Sequence, residues 1–547
     1  MKTEEITHKL PAQLIKFFKR KNQNSNIKNA YPLVERLYTN LLEGHSSLQV
    51  EPDNNEIEIL RINNLVGSPD DMAPFVLSST NDLYFRRYYE YEKSIAQRLK
   101  SWTTEQITNY RADDDFLRGI LKGDHDQLSA AQLSLENKFS IITGGPGTGK
   151  TYLLVTILYS LLKNNPALQV TLAAPTGKAA QRMTEAILSN LEHLSLSDQE
   201  KELFPKEAST IHRLLQPLPP SIYFKKTSKN PLHSDFVIID EASMIDLPLM
   251  AKLFEAIPSH CRILLIGDID QLAPVEAGAP FSSIVRHFLL PDQPKLVAQL
   301  TTNHRFGEGS TINRLCCSIS NGDTSSVKQI FAEDKREDFA FYDSHSGDAE
   351  IDRLVYRGYE TLSKVKDPAE AHKAFLKFQI LCPTHGGENG VIAMNKKCLA
   401  LFGEKLHSPG AKFSGLPIII KQNDYGSGLF NGDIGIFLPS TKETTNLSVW
   451  FSNNDGSFRE ISPARLPSYE VAYAMTIHRS QGSEYQEVLI MIPEIISEIL
   501  SRHLLYVACS RARHKVCIYG SSKIFIEGVE KNTIFSQSLE NRLLELN

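Results

Sequence analysis

Three short runs in this chain carry residue types that handle phosphates. Residues 144–151 read GGPGTGKT, which fits the pattern of a glycine, four residues, then Gly-Lys-Ser/Thr. In such a run Gly144, Gly145, Pro146, Gly147, Thr148 and Gly149 form a cradle whose backbone N–H groups converge on phosphate oxygens at a helix N-terminus. Lys150 then reaches the β and γ phosphates, and Thr151 holds Mg²⁺. An apolar strand, SIITGG, precedes the run and an apolar helix, TYLLVTILYSLLKN, follows it, as a phosphate loop requires. Asp240 and Glu241 end a second apolar strand, FVIID. There an aspartate can hold the Mg²⁺ and a glutamate can polarise the attacking water. Alone, an Asp–Glu pair after a strand is more often a helix cap, and the phosphate loop is what favours chemistry. GDIDQLAPV places Gln271 after a third apolar strand, where its amide can sense the γ-phosphate or hold water. A plain turn also fits that run on its own.

These runs need a scaffold, and the composition allows one. The chain has 547 residues, enough for three to four domains at about 150 residues each. Hydrophobic residues make up 41% and charged residues 22%, which excludes a disordered or fibrous chain. Lys plus Arg is 59, Asp plus Glu is 64 and the net charge is −5. A polycation that clings to nucleic acid by bulk charge is thereby excluded, so any such channel must be built locally. The seven cysteines form no C-x-x-C, which fits a reducing compartment. The start, MKTEEITHKL, has no apolar h-region, and no run of apolar residues is long enough to span a membrane. The expectation is a soluble, cytoplasmic, multi-domain protein.

From Ser140 onward, short apolar strands alternate with helical stretches. QVTLAAP, DFVIIDEA and CRILLIGD read as buried strands and GKAAQRMTEAILSNL as a helix. That pattern predicts a parallel sheet covered on both faces, with 195–207 and 221–233 as polar surface insertions. A second α/β pattern starts near Leu290, with FQILCPT a strand and 390–401 a helix. Between 417 and 467 the strands PIIIKQND, DIGIFLP and LSVWFS are separated by Gly/Asn/Asp turns, which suggests a small antiparallel barrel inserted in the second α/β unit. EVLIMIP, HLLYVACSRAR and KVCIYG then resume it. Near the start, 10–38 has helical spacing, and 74–99 begins strand-like and turns helical with aromatic and basic residues side by side. It reads as part of a small helical domain docked on the rest rather than as a nucleic-acid contact.

The ordered series GGPGTGKT, LAAPTGKAAQR, STIHRLL, VIIDEASMID, GDIDQLAPV, NHRF, AYAMTIHRSQGSEY and LLYVACSRAR resembles the superfamily 1 helicases, and most closely their RecD branch. NDYGSGLFNGDIGI and LYFRRYYEYE also resemble RecD-type segments. The resemblance implies an α/β fold with two RecA-like domains clamping one ATP with Mg²⁺. It would divide the chain into an N-terminal docking domain (1–110), a first RecA-like domain (111–290) and a second (291–547) with an SH3-like β insert at about 410–468. Gln127, in DQLSAA, would read adenine. Lys150, Thr151, Asp240, Glu241, Gln271, Arg305 and Arg511 would carry hydrolysis, the two arginines by stabilising transition-state charge across the cleft; spacing alone does not select them. Glu484 would lie near the nucleotide. Pro175, Thr176, His212, Thr476, His478 and Gln481 would line a single-strand path. The resemblance further implies 5′-to-3′ movement on single- and double-stranded DNA, in a heterotrimer with RecB- and RecC-like subunits that acts in double-strand break repair. The short N-terminal region favours that subunit over a stand-alone RecD-like helicase; an RNA-acting ATPase is the other alternative. Two positions depart from the family pattern: His304 precedes Arg305 where Tyr is commoner, and Ser510 precedes Arg511 where Thr is commoner.

A nuclease reading would rest on the acidic triplet at 113–115. Three consecutive acids do not face one way, so a solvated loop is the better reading, and no carboxylate cluster ending in a lysine resembles the RecB nuclease. The 16 histidines show no zinc or haem spacing, so no metal other than the nucleotide's Mg²⁺ is assigned.

Overall fold

The computed structural model describes residues 10–22, 25–51, 53–104, 114–193, 196–274, 276–307, 309–333, 336–343, 348–403, 412–424, 426–441, 446–453, 456–532 and 538–545. In the N-terminal region, helices at Leu10–Asn22, Tyr31–Leu42 and Asn55–Ile62 surround a four-stranded sheet. Its strands are β1 (Leu48–Gln49), β2 (Val66–Gly67), β3 (Phe75–Leu77) and β4 (Asp82–Phe85), in the order β1-β4-β3-β2. This unit has its own core, with Leu33, Val34, Phe75 and Leu83 inside. It is therefore helical with a small sheet, a mixture the helical spacing alone did not reveal.

The next helix, α1 (Arg86–Thr104), belongs to a different core. Ile95, Ala96, Leu99 and Trp102 recur at helical spacing and face one way. Trp102 stacks on Phe139 with ring centroids 5.8 Å apart and meets Phe254 edge-on at 4.9 Å. The aromatic–basic segment is thus largely structural: Tyr84 and Tyr89 are buried.

The first α/β unit contains α2 (His125–Glu136), β5 (Phe139–Gly144), α3 (Lys150–Asn164), β6 (Val170–Ala174), α4 (Gly177–His193), β7 (Ser209–Thr210), β8 (Phe236–Ile239), α5 (Leu247–Ala256), β9 (Arg262–Gly267), α6 (Pro280–Phe288) and β10 (Val297–Leu300). The six strands are parallel, ordered β10-β5-β9-β8-β6-β7. Strand period explains the two cores: Phe139 and Ile141 point into one, Ile142 into the other. β10 pairs with β5 from Val297↔Ile141 to Leu300↔Gly144. The first sheet therefore runs past Leu290, where the sequence pattern placed the start of the second unit; a short polar link before β10 hides that return.

The second unit contains α7 (Thr311–Asn321), β11 (Phe339–Tyr342), β12 (Phe378–Cys382), α8 (Val391–Gly403), β13 (Pro417–Ile420), β14 (Ile434–Pro439), β15 (Leu447–Ser452), β16 (Phe458–Ile461), β17 (Tyr469–Val471), β18 (Ala474–Thr476), β19 (Tyr485–Met491), α9 (Arg502–Ser510), β20 (Ala512–Tyr519) and α10 (Ser538–Glu545). Its main sheet is parallel, in the order β11-β20-β19-β12-β18. The insert is an antiparallel sheet, β16-β15-β14-β13-β17, whose buried Ile418, Ile436 and Phe451 join the same core. Among the described residues β16 and β17 stay as edges, so the insert is an open sheet where the turn pattern suggested a barrel. The turn Pro463–Arg465 carries the chain from one edge to the other.

The last helix, α10, does not stay with the second unit. Leu539 and Leu543 enter the core of the first. Arg542 stacks its guanidinium 4.0 Å from the Tyr89 ring and donates to the Tyr89 hydroxyl at 3.0 Å. Its Nε stands 3.7 Å from Glu92, which is fully buried and accepts from Ser46 (2.6 Å) and Ser538 (2.8 Å). Burial pushes the Glu92 carboxyl up, and the two hydroxyls and Arg542 oppose that. The chain's end is thereby stapled to its beginning. No helix among the described residues is long and apolar enough to cross a membrane. Removing one partner of a buried ion pair leaves the other charge unpaired, at a cost of about 3–5 kcal/mol. Arg542→Ala is expected to lower the free energy of the first unfolding transition by an amount in that range, measured by differential scanning calorimetry.

Candidate active site

The apolar run of β5 ends where two glycines turn the chain. Gly147 (φ 85°) and Gly149 (φ 80°) adopt left-handed backbone, which side chains disfavour. Space adds a second reason. A Cβ at Gly147 would come within 2.5 Å of the Arg305 Cβ, and one at Gly149 within 2.4 Å of Gln127 Nε2. α3 begins at Lys150 directly after this turn, so its N-terminal N–H groups and positive dipole end face the loop. Lys150 Nζ donates to Gly144 O (2.5 Å) and Gly145 O (2.9 Å), and the Thr148 hydroxyl donates to Gly145 O (2.9 Å). Thr151, half-buried, is the second residue of α3.

Asp240 follows β8 and Asp268 follows β9, the strand between β8 and β5. The Asp240 carboxyl is pushed up to about 6 by burial and by Glu241, while Lys150 and Arg182 oppose the shift. Glu241 is a non-glycine residue in left-handed backbone (φ 53°), and its N–H donates to Asp240 Oδ1 at 2.9 Å. Strain of this kind persists where the surroundings over-determine it, as at functional sites. Burial likewise raises Asp268 to about 6, with Lys150 opposing. Gln271 is 6% exposed, and its buried Oε1 has no hydrogen-bond partner among the described residues.

The loop after β10 brings a second set against the glycines. His304 N donates to Gly147 O (2.8 Å), Asn303 Nδ2 donates to Pro146 O (2.9 Å), and Asn303 Oδ1 accepts from the Arg305 N–H (2.9 Å). The Arg305 side chain reaches Glu484 of the second unit at 2.6 Å, and its Nη1 is buried without a partner. Glu484 also meets Arg513 (2.8 Å) and Arg182 of α4 (3.4 Å). Burial pushes the Glu484 carboxyl up, but the three guanidiniums outweigh it and hold it at about 2. Arg511 is buried where α9 ends, donating to Val507 O and Ser483 O, each at 3.3 Å. Burial above all, and then Arg513 and Arg511, disfavour the charge on Arg305, while Glu484 opposes them. Gln127 donates to Thr148 O at 3.3 Å and stands 3.2 Å from His304, whose Nε2 is 2.8 Å from Asp124. The structure therefore gathers Gln127, the glycine loop, Lys150, Asp240, Glu241, Asp268 and Arg305 around one cleft, with Glu484 and Arg511 on its second wall.

The residues expected on a strand path divide in two. Pro175 and Thr176 follow β6, and the Thr176 hydroxyl accepts from Ala179 N at 3.2 Å. Thr476 closes β18, with His478 and Gln481 in the turn beyond; burial holds His478 below its ordinary value. The two stretches meet: a Cβ on Gly482 would lie 3.9 Å from Ala179 Cβ, and Arg182 donates to Gly482 O at 2.7 Å. His212 stands apart and exposed on the short helix Ile211–Leu215, its ring 5.8 Å from Phe224. Of the acidic triplet, Asp113 lies outside the described residues, and Asp114 accepts from Gln132 at 2.6 Å. Asp124, Arg182, Asp268, Tyr506 and Arg513 belong to the site, yet sequence reasoning assigned them no role. Asp268 and Tyr506 sit inside recognised runs, but their partner lies on the other unit, so no spacing signals it.

A left-handed alanine costs about 1–2 kcal/mol before any clash, so Gly149→Ala is expected to weaken nucleotide affinity at least about tenfold. Titration with a fluorescent ATP analogue measures this, and Gly426→Ala, on the open insert, serves as the unaffected control.

Comparison with known proteins identifies the family. A family described as AAA domain matches residues 127–277, and one described as UvrD-like helicase C-terminal domain matches 471–519. The RecBCD enzyme subunit RecD of Mycobacterium tuberculosis is 32% identical over 512 residues, covering 91% of this chain and 86% of that protein. The subunit of the same name from Haemophilus influenzae is 31% identical over 524 residues, covering 85% and 80%. The ATP-dependent RecD2 DNA helicase of Deinococcus radiodurans is 29% identical over 492 residues, covering 89% of this chain and 61% of its own length. With its phosphate loop, its two parallel sheets and these relatives, the chain belongs to the RecD family.

Proposed function

We propose that this chain is an ATP-dependent DNA helicase that moves 5′ to 3′ as the RecD subunit of a RecBCD-type complex in double-strand break repair. The observation that supports it most directly is the cleft in which the glycine loop and Arg305 of one unit face Glu484 and Arg511 of the other. Separating duplex DNA costs about 1.4 kcal/mol of stacking per base-pair step, so it requires a coupled energy source. A nucleotide site whose walls belong to two units supplies one, because hydrolysis changes how the walls attract each other.

In this reading Gly144–Thr151 cradles the triphosphate of ATP and Lys150 exchanges its loop carbonyls for phosphate oxygens. Thr151 and Asp240 would hold Mg²⁺; the fit rests on the donor set, a hydroxyl at the start of α3 and a carboxylate directly after β8, hard oxygen ligands of the kind that ion takes. Bound there, the ion would neutralise charge on the β and γ phosphates. Glu241 takes a proton from the attacking water, whose oxygen bonds the γ-phosphorus as the bond to the ADP oxygen breaks. Arg305, with its unpartnered Nη1, and Arg511 offset the charge that develops, and Gln271 orients the water or senses the γ-phosphate. Gln127 reads the adenine. Pro175, Thr176, Thr476, His478 and Gln481 then line the strand path, with His212 at its periphery. The domain division follows the two sheets, with the first RecA-like domain extended to β10 and α10 and the antiparallel insert in the second. The N-terminal unit, with its own core, is the docking domain for RecB- and RecC-like subunits, and the complex works in the cytoplasm.

Lys150→Gln is expected to abolish DNA-stimulated ATPase and strand displacement from a 5′-tailed DNA substrate while keeping the wild-type melting temperature. Displacement from a 3′ tail or from RNA by the wild type would instead favour the opposite polarity or the RNA-acting alternative. A chain starting at residue 74, which retains β3, β4 and α1, is expected to lose co-purification with co-expressed RecB- and RecC-like subunits; retained co-purification contradicts the docking role.

A further inference from the structure

Tyr506 lies on α9 of the second unit, yet its hydroxyl reaches the glycine loop of the first. A Cβ built on Gly145 would stand 2.9 Å from it. The same hydroxyl donates to Asp268 Oδ2 at 3.1 Å. Tyr506 is 5% exposed and Asp268 is 1% exposed, so water cannot replace either partner. The other Asp268 oxygen accepts from Asp270 N at 3.1 Å, and the Asp268 carbonyl accepts from Gln271 N at 3.2 Å. A buried carboxylate keeps its place and its charge only when hydrogen-bonded. Here one bond comes from its own turn and one from across the cleft. The second exists only while the two units are apposed.

We propose that Tyr506 is a positioning residue for ATP hydrolysis: its hydroxyl fixes Asp268, and through Asp268 the turn that carries Gln271, when the two units close on the nucleotide. This deepens the hydrolytic reading above and rests on it. Tyr506 touches no reacting atom. It converts closure of the cleft into the orientation of a group beside the γ-phosphate. Nucleotide binding depends mainly on the loop of the first unit, so the effect falls on turnover.

Tyr506→Phe removes the hydroxyl and keeps the ring. A hydrogen bond to a buried charged group is of a size that corresponds to about tenfold or more in rate. DNA-stimulated kcat is therefore expected to fall about tenfold in the full-length variant, with KM for ATP changed by less than about twofold. Asp268→Asn should give a similar loss, and the double variant should be no worse than the poorer single one, because both break the same link. Wild-type kcat in Tyr506→Phe overturns the inference, as does a double variant whose losses multiply. A merely structural contact would lower the melting temperature without splitting kcat from KM, and that result also overturns it. If the wild-type chain does not hydrolyse ATP, the hydrolytic reading falls first; hydrolysis by the wild type with an unaffected Tyr506→Phe sinks this inference alone.

Discussion

Glu484 sits among three guanidiniums drawn from distant stretches of the chain: Arg182 on α4, Arg305 after β10 and Arg513 on β20. Two of the three belong to the first unit or its exit loop, and the carboxylate belongs to the second. A charge this deeply placed is tolerated only because its partners surround it; without them desolvation would neutralise it. The depressed protonation of Glu484 means the cluster stays ionised through the whole physiological range. Its stabilisation is present above the ordinary carboxylate range and is lost only as pH falls toward about 2. The cluster bridges the two units at the cleft through Arg182, Arg305 and Glu484.

The cluster also holds Arg305 in reserve. One guanidinium nitrogen is committed to Glu484, while Nη1 is buried and unbonded among the described residues. Buried donors without partners are uncommon and call for a reason. In the proposed reading a phosphate oxygen supplies one, and Gln271 Oε1 is likewise a buried acceptor without a partner among the described residues. The strained backbone at Glu241 belongs with these features. Local comfort is given up where the site needs a fixed geometry.

Around the cleft, the fold spends its apolar surface on rigidity. The antiparallel insert shares one core with the second parallel sheet, so it is fixed to that unit. At the opposite end, α10 returns to the first core and joins the Glu92–Arg542 network beneath the N-terminal unit. The two units are thus joined by apolar contacts as well as charged ones, with Leu272 of the first in the core of the second and α10 in the core of the first.

The chain by itself carried the motifs from which the chemistry is read, and much of the fold class. Apolar strands followed by GGPGTGKT, FVIIDE and GDIDQ are local patterns, because a parallel strand, its exit loop and the next helix are contiguous in sequence. The same locality explains why the helix after Lys150 and the insert's strands were legible. Tertiary structure alone decided what pairs across distance. β10 joined the first sheet because its partner β5 lies far upstream, and α10 crossed back because its partners are Tyr89 and Glu92. Tyr506 met Asp268, and Glu484 met Arg182, for the same reason: which polar groups are buried together depends on how two separately folded sheets face each other. No period or spacing within one segment carries that information.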